Sequence, residues 1–302
     1  MAPRRAPKSW PRRSFRASSA AIFSATCRMA ASVEADDFFY LHDPQRVCAV
    51  MIHAATAIIL RHSDYGEADR IVSFLTAEHG HIKGFARSAR SSRRRFGAAL
   101  EPLAEVGMHW KVRPGRELVD LREADLINLH HGLRRDLPTL TLASYGCELA
   151  ELLFGESGPA PELFALLQAF LNHLDVEGSS VEARLLFELR ILELAGYVPH
   201  LQHCAACFGP LPEGAVGFSA ASNGSLCPAC GGDGLQIQVD RLTLGSLGRI
   251  LRTPLTSFTG FRLSPRSRSE GQMVLAEAIA RHLSRPPKSL TLLASLILDR
   301  QH

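Results

Sequence analysis

The chain has 302 residues, of which 46% are hydrophobic and 21% are charged, proportions typical of a globular protein and not of a disordered or fibrous one. No apolar run is long enough to span a bilayer, so the sequence predicts no membrane partner. The formal net charge of +4 is unevenly placed. Residues 1–33 carry seven basic side chains and no acid, residues 34–50 are acidic, and residues 51–302 have no net formal charge.

Residues 1–50 lack helical or strand periodicity and are rich in Arg, Ser, Ala and Pro. Three interpretations stay open for this leader: a disordered tail, a transit peptide, which is typically rich in Arg and Ser and poor in acids, or translation that in fact begins at Met51. The sequence after Met51, "IHAATAIILRH", is typical of the first strand of a domain. The leader is therefore left out of the fold prediction.

Residues 51–130 are expected to form a small β-barrel domain. Short β-rich segments are separated by turn residues, with a turn near Gly80 and a hairpin turn at Pro114-Gly115. An OB-fold has the right size and strand count, although an SH3-like barrel fits the pattern nearly as well. The segments that predict strands are 55–61, 69–87 (two strands), 103–112 and 117–127.

From about residue 133 the hydrophobic period becomes helical, which predicts a mostly α-helical domain, assigned to residues 131–302, and an α+β fold for the chain. Pro161 suits the first turn of a helix, and Ser179 followed by Glu182 has the spacing of a capping box. The segments that predict helices are 137–154, 161–174, 179–197, 240–252, 269–284 and 288–298.

Four of the seven cysteines form two C-x-x-C pairs, with nineteen residues between the inner members. Two such pairs supply a tetrahedral sulfur site that suits Zn²⁺, so a zinc motif is expected at residues 204–230, inserted in the helical domain. Four thiolates leave no open coordination position, which predicts a structural zinc; redox dithiols are the alternative. Cys147 is expected to be a small buried side chain. The predicted ligands are Cys204, Cys207, Cys227 and Cys230.

An arginine-rich stretch, "GFARSARSSRRRFG", lies between predicted strands and contains no acid. Such runs are often a solvated face, but this one falls where OB-folds hold nucleic acid, and the like charges favour a polyanion. Phosphate contacts would give affinity without sequence choice. Phe85, Phe96 and Trp110 could stack bases, although core positions are expected for at least two of them. The predicted DNA-binding residues are Lys83, Arg87, Arg90, Arg93, Arg94, Arg95, Lys111, Arg113 and Arg116.

Two motifs are specific: Tyr65-Gly66-Glu67-x-Asp69-Arg70, and Gly196-Tyr197-x-Pro199, which runs into the first C-x-x-C pair. With the sequence around them and in this order along the chain, these motifs resemble the bacterial DNA repair protein family RecO. The resemblance covers roughly residues 51–300, and the leader has no counterpart in it.

The resemblance implies an N-terminal OB-fold, a helical domain with a structural zinc motif, and a recombination mediator without enzymatic activity. The implied activities are binding of single- and double-stranded DNA, annealing of complementary strands and help in loading the recombinase. The implied partners are RecR, single-stranded DNA-binding protein and, indirectly, RecA, in the bacterial cytoplasm at the nucleoid.

The alternative function is a zinc-ribbon enzyme acting on nucleic acid, such as a nuclease. It would need a carboxylate cluster for Mg²⁺, for which Asp64, Glu67 and Asp69 are the nearest candidates. Because Arg61 and Arg70 flank these acids, we expect them to be ion-paired. No sequence motif of a known catalytic site is present.

Overall fold

The structure is a computed structural model that describes residues 52–113, 115–156, 158–231 and 237–299. The leader at residues 1–50 lies outside the described residues, and so does Pro114 of the predicted hairpin turn. The hypotheses about both therefore stay predictions.

Five strands form a closed barrel at the N-terminal side of the described chain. Their order around the barrel is β1-β2-β3-β5-β4, and β4 pairs again with β1. Neighbours are antiparallel except β3 and β5, which meet in parallel over a short seam. The barrel confirms the predicted OB-like domain. The strands are β1 (Ile52–Tyr65), β2 (Asp69–Thr76), β3 (Gly80–Ala86), β4 (Glu105–Lys111) and β5 (Val119–Asn128).

Strand β1 is twice as long as the predicted segment 55–61 because it pairs with two partners. Its first half pairs with β4, and its second half pairs with β2 after a bulge between Ile59 and Arg61. A bulge bends a strand and increases its twist, which lets one strand contribute to both sides of a closed barrel. The barrel interior is filled by alternating side chains, among them Val72, Phe74, Met108 and Trp110.

The helical region follows β5 through a short 3-10 helix, His131–Arg134. The region is mostly helical, which confirms this part of the predicted fold class. A module that contains the four cysteines lies between two of its helices. The division of the chain at residue 130 into separate domains remains a prediction. The helices are α1 (Leu137–Phe154), α2 (Pro161–Glu177), α3 (Val181–Leu194), α4 (Pro228–Gly231), α5 (Arg241–Ile250), α6 (Pro265–Ala280) and α7 (Lys288–Asp299).

Side-chain caps begin helices α1, α3, α5 and α6. The predicted cap at Ser179 is wrong by one residue: the Ser180 hydroxyl accepts from the Ala183 N–H and starts α3. Glu182 does not close a capping box but binds Arg268 at 2.7 Å and accepts from the Leu263 N–H. Helix α6 begins four residues before the predicted start, because Ser264 caps it and a proline follows in the first turn.

The four-cysteine module between α3 and α5 contains a small three-stranded sheet. Its strands are β6 (Ala215–Ser219), β7 (Gly224–Leu226) and β8 (Ile237–Asp240), in the order β7-β6-β8. Strand β6 has the sequence "AVGFS" and is the middle strand of this sheet. Val216, Phe218 and Val239 are buried in the same hydrophobic core as the helices, so the module is part of the helical region's packing.

The barrel packs against the helices through a shared hydrophobic core that includes Leu60 and Leu75, and one carboxylate of α1 contacts three of its strands. Glu151 of α1 accepts from Arg61 Nε of β1 at 2.7 Å and from Ser73 Oγ of β2 at 2.9 Å. His81 of β3 lies 3.5 Å from the same carboxylate and hydrogen-bonds the Gly155 carbonyl oxygen. Three strands are therefore tied to one helix, which fixes the outer face of the barrel relative to the helical region.

None of the described helices combines the length and the hydropathy that a bilayer crossing requires.

Candidate nucleic-acid interface and metal centre

The arginine-rich stretch lies in the segment that joins β3 to β4, residues 87–104, which we call the β3–β4 segment. Its small and apolar residues are buried in the barrel core, among them Ala89, Phe96, Ala99 and Leu100. These buried residues anchor the segment to the barrel. The arginines between them are held at the surface by a folded segment and not by a loose loop.

Hydrogen bonds tie the start of this segment to the β1–β2 turn. The Arg90 N–H donates to the Ala68 carbonyl at 3.0 Å, and the Ser88 N–H donates to Asp69 Oδ1 at 2.7 Å. Ser88 has a φ of 52°, a conformation that residues other than glycine rarely adopt. Farther along, the Ala124 N–H of β5 donates to the Arg95 carbonyl at 2.9 Å. The segment is thus fixed at both ends.

Two of the five predicted arginines have structural hydrogen bonds. Arg95 is half-buried; it donates to the Arg87 carbonyl at 2.8 Å and lies 5.1 Å from the centre of the Phe96 ring. Arg90 donates to the Glu67 carbonyl at 3.1 Å and stands 3.9 Å from the Asp64 carboxylate. Both guanidinium groups hold the segment in its fold.

The other three arginines are available to a ligand. Arg87, Arg93 and Arg94 are exposed, and their side chains make no hydrogen bond or ion pair within the described residues. We call these three the free arginines. A fixed group of positive charges without carboxylate partners is a surface that favours a polyanion.

The remaining predicted DNA-binding residues also divide into side chains with an ion pair and side chains without one. Lys83 binds Glu156 Oε1 at 2.6 Å, and Arg113 pairs with the buried carboxylate of Asp120. Lys111 is half-buried and Arg116 is exposed, without a side-chain ion pair among the described residues. Lys83 and Arg113 would have to exchange a carboxylate for a phosphate in order to bind DNA.

The three aromatic residues that the sequence singled out separate into two groups. Trp110 and Phe96 are buried in the barrel core, as expected for at least two of them. Phe85 is half-buried, and its ring contacts that of Tyr65 edge-on at 5.5 Å. Tyr65 is 58% exposed and was not predicted as a site residue. Its position, directly before a Gly66 turn at a strand end, could have identified it.

The carboxylates that the nuclease alternative requires do not converge. Asp64 pairs with Arg70 at 3.1 Å, as expected, and Asp69 accepts from the Ser88 N–H. Arg61 was expected to pair with these acids, but it binds Glu151. Within the described residues, the one cluster of His, Cys, Asp and Glu side chains that could hold a metal ion is formed by the four cysteines.

The four predicted cysteine ligands meet at one point. Their sulfur atoms all lie within 4.8 Å of one another, and Cys207 Sγ is 3.8 Å from Cys227 Sγ. A tetrahedral centre with Zn–S bonds of about 2.3 Å spaces its sulfurs about 3.8 Å apart. The donor set and its spacing therefore fit a metal ion, and four sulfurs suit zinc. The cluster could hold one such ion.

The electrostatics of the cluster also favour a cation. Backbone N–H groups of Cys207 and Cys227 point at the Cys204 sulfur and lower the pKa of that thiol to about 6. Hydrogen bonding to the sulfurs of Cys227 and Cys207, together with the Cys204 charge, raises the pKa of Cys230 to about 12. Four thiolates so close together repel one another, and a bound divalent cation would remove this repulsion.

The module that carries the cysteines is poor in positive charge. No Lys or Arg occurs between Arg190 and Arg241. Lys and Arg supply the electrostatic affinity for phosphates, so the module contributes no such charge.

Comparison with known protein families gives one match in the barrel and one in the helical region. The family model described as "Recombination protein O N terminal" matches residues 51–130, and "Recombination protein O C terminal" matches residues 134–291. The chain belongs to the RecO family. The N-terminal match begins at residue 51, and the interpretation of residues 1–50 stays a prediction.

Individual relatives extend over most of the chain. DNA repair protein RecO of Syntrophotalea carbinolica is 49% identical over 244 residues, which are 80% of this chain and 94% of that protein. The RecO protein of Geobacter metallireducens is 40% identical over 80% of this chain and 97% of its own length. The RecO protein of Anaeromyxobacter sp. strain K is 38% identical over 76% of this chain and 91% of its own length.

Membership of the RecO family confirms the resemblance seen in the sequence. The chain is a DNA repair and recombination protein of a family of mediators that are not enzymes. The nuclease alternative is set aside on this ground. The pairing of Asp64 with Arg70 and of Asp69 with the Ser88 N–H also argues against a metal site formed by these acids.

Proposed function

We propose that the chain binds single- and double-stranded DNA at the β3–β4 segment and anneals complementary strands. The observation that carries this proposal is the group of free arginines, Arg87, Arg93 and Arg94, which a folded segment presents without carboxylate partners. Guanidinium groups bind phosphates in a bidentate manner. Phosphate contacts carry no base information, so binding is expected to be independent of sequence.

The proposed annealing of complementary strands would depend on the same positive charge of the β3–β4 segment. Two complementary strands repel each other through their phosphates, and a surface that neutralises some of these charges lowers the cost of bringing the strands together. Lys111 and Arg116 would extend the surface along the barrel, and Lys83 and Arg113 could join it by leaving Glu156 and Asp120. Arg90 and Arg95 support it mainly by holding the segment in place.

The partners of this activity are proposed from the family. RecO proteins act in recombination, and we propose RecR and single-stranded DNA-binding protein as partners, with loading of RecA as the outcome at the bacterial nucleoid.

We further propose that the four-cysteine cluster holds one structural zinc ion. Cys204, Cys207, Cys227 and Cys230 would fill the tetrahedral shell and leave no position for water or substrate. The metal would stabilise the helical region, because the free energy of metal binding adds to that of folding when the unfolded chain has no site.

The interface is tested by the salt dependence of DNA binding. Replacing Arg87, Arg93 and Arg94 by Ala removes up to three phosphate contacts. On single strands each contact contributes about 0.7 to the slope of log K against log salt, so the slope should become shallower by about 2 units. Unrelated DNA sequences should lose affinity equally, and the rate of strand annealing should fall in parallel.

The matched control replaces Arg252, Arg262 and Arg281, three exposed arginines of the helical region. This variant carries the same change of net charge and should keep the wild-type slope. A free-arginine variant with an unchanged slope would show that the β3–β4 segment is only a solvated face. The DNA site would then be sought at Lys111, Arg113 and Arg116.

A further inference from the structure

An exposed aromatic pair lies on the outer face of the barrel. Tyr65, at the end of β1, is 58% exposed, and Phe85, on β3, is half-buried. Their ring centres are 5.5 Å apart, and the ring planes are 80° from parallel. Edge-to-face packing of this kind is a favourable arrangement of two aromatic rings, so it stabilises the orientation of both rings at the surface.

Strand register shows why both rings point outward. Ser63 of β1, Ile71 of β2 and Phe85 of β3 are aligned across the sheet. The following residues on β2 and β3, Val72 and Ala86, are buried in the barrel core. Because side chains alternate between the two faces of a strand, Ile71 and Phe85 face out, and Tyr65 shares the face of Ser63.

The aromatic pair adjoins the β3–β4 segment at two points. Phe85 stands two residues before Arg87, the first free arginine. The turn after Tyr65 accepts hydrogen bonds from the segment: the Ala68 carbonyl from the Arg90 N–H at 3.0 Å, and the Glu67 carbonyl from the Arg90 guanidinium at 3.1 Å. A strand whose phosphates contact the free arginines would therefore have its bases within reach of Tyr65.

Nearby negative charge is partly neutralised and is outnumbered by the arginines. Asp64 pairs with Arg70, and Asp69 accepts the Ser88 N–H at 2.7 Å. Glu67 keeps an exposed carboxylate, but it is outnumbered by the arginines of the segment. The surroundings of the aromatic pair thus remain favourable for a phosphate chain.

We infer that Tyr65 and Phe85 form a platform on which unpaired bases stack, and that this platform favours single-stranded over double-stranded DNA. Every base has a π-face, so stacking on aromatic side chains is tolerant of sequence. Bases in a duplex are already stacked on their neighbours and cannot reach the rings. The inference rests on the proposed DNA binding at the β3–β4 segment and adds to it the selection of the strand state.

The test uses the full chain and three ligands: an oligothymidylate, an abasic strand of equal length, and a duplex. Tyr65→Ala should weaken oligothymidylate binding on the order of ten-fold, the effect of losing one stacked base. Binding of the abasic strand and the duplex should not change, because neither offers an unpaired base. The salt slope should also stay constant, since it counts phosphates.

Two further variants separate stacking from other roles of the side chain. Tyr65→Phe should keep wild-type affinity, because the ring is retained, whereas Phe85→Leu should weaken oligothymidylate binding selectively while keeping an apolar contact. Tyr197→Ala is the matched control, since this partly exposed tyrosine stacks on His282 in the helical region. It should bind all three ligands as the wild type does.

Equal losses by Tyr65→Ala on all three ligands would overturn the platform and make Tyr65 a support of the segment. No loss on oligothymidylate would overturn it as well. If the free-arginine variant flattens the salt slope and Tyr65→Ala changes nothing, the DNA interface stands without a platform. If only Tyr65→Ala has an effect, the proposed arginine interface is refuted, and the stacking platform is still supported.

Discussion

At the scale of single residues, Glu151 has an unusual environment for a carboxylate. Burial by itself would raise its pKa, but contacts with His81, Arg61 and Ser73 outweigh burial and lower the pKa to about 2. The side chain is only 13% exposed, so water screens these contacts weakly. Glu151 thereby joins three strands of the barrel to α1.

The lowered pKa of Glu151 predicts a loss of stability in acid. A carboxyl group whose pKa is lower in the folded state contributes stability above its unfolded pKa, about 4.5, and loses it as the pH falls toward the folded value, about 2. The contribution is at most about 3 kcal/mol. Glu151→Gln should lower the free energy of unfolding at pH 7 and flatten its dependence on pH over that window, as denaturant unfolding would measure.

Asp64→Asn is the matched control for this prediction. It removes an ion pair whose carboxylate is half exposed, and such pairs contribute little because solvent screens them. Its free energy of unfolding should stay within about 0.5 kcal/mol of the wild type. A loss for Asp64→Asn as large as that for Glu151→Gln would contradict the role given to the junction.

At the scale of elements, close packing of α1 depends on a glycine. Helix α1 crosses α2 where Gly146 faces Phe170, and Phe170 stacks on Phe187 of α3 at 4.2 Å. A Cβ atom added at Gly146 would lie 2.7 Å from the Phe170 ring. The ring is fully buried and cannot move aside.

Gly146→Ala should therefore destabilise the chain by about 1–3 kcal/mol, the usual cost of overpacking. Gly245→Ala is its matched control, because Gly245 also lies within a helix, and a Cβ there would meet nothing within 4 Å. That change should stabilise by up to about 1 kcal/mol through helix propensity. Thermal unfolding of both variants measures the difference, and a shift of the same sign in both would refute the packing argument.

The four-cysteine module gives a second prediction at this scale. Cys227→Ser should reduce the bound metal from one ion per chain, measured by elemental analysis under reducing conditions, and should lower the unfolding temperature of the helical region. DNA binding at the barrel should keep its salt slope. Cys147→Ala is the control: Cys147 is buried in α1, where burial raises its pKa to about 12, and its loss should leave the metal in place.

At the scale of the whole molecule, the leader is expected to contribute neither to folding nor to the proposed activity. Residues 1–50 show no core-forming pattern, and the family match begins at residue 51. A chain that begins at Met51 should unfold at the same temperature as the full chain and bind DNA with similar affinity at physiological salt. A clear drop in its unfolding temperature would show that the leader packs on the fold.

Local sequence patterns predicted the strands of the barrel, the longer helices and the four cysteines that could hold a metal ion, although the ends of β1 and α6 differ from the prediction. Helical periodicity predicted a helix at 137–154, and the structure has α1 there, capped by Asp136. Two C-x-x-C pairs identified four sulfurs that do converge. Both follow from local rules, because a cap acts on the next turn and a C-x-x-C pair brings its own sulfurs together. The wrong cap at Ser179 arose where two adjacent serines satisfy the same local rule.

Tertiary structure alone decided which of the candidate DNA-binding residues are available. Along the chain, Arg94 and Arg95 are equivalent, but only Arg94 is free, because Arg95 bonds the Arg87 carbonyl across the segment. Lys83 meets Glu156, seventy-three residues away, and Tyr65 meets Phe85 only because β2 lies between their strands. The availability of a charge or a ring depends on partners distant in sequence, and only the folded chain brings those partners together.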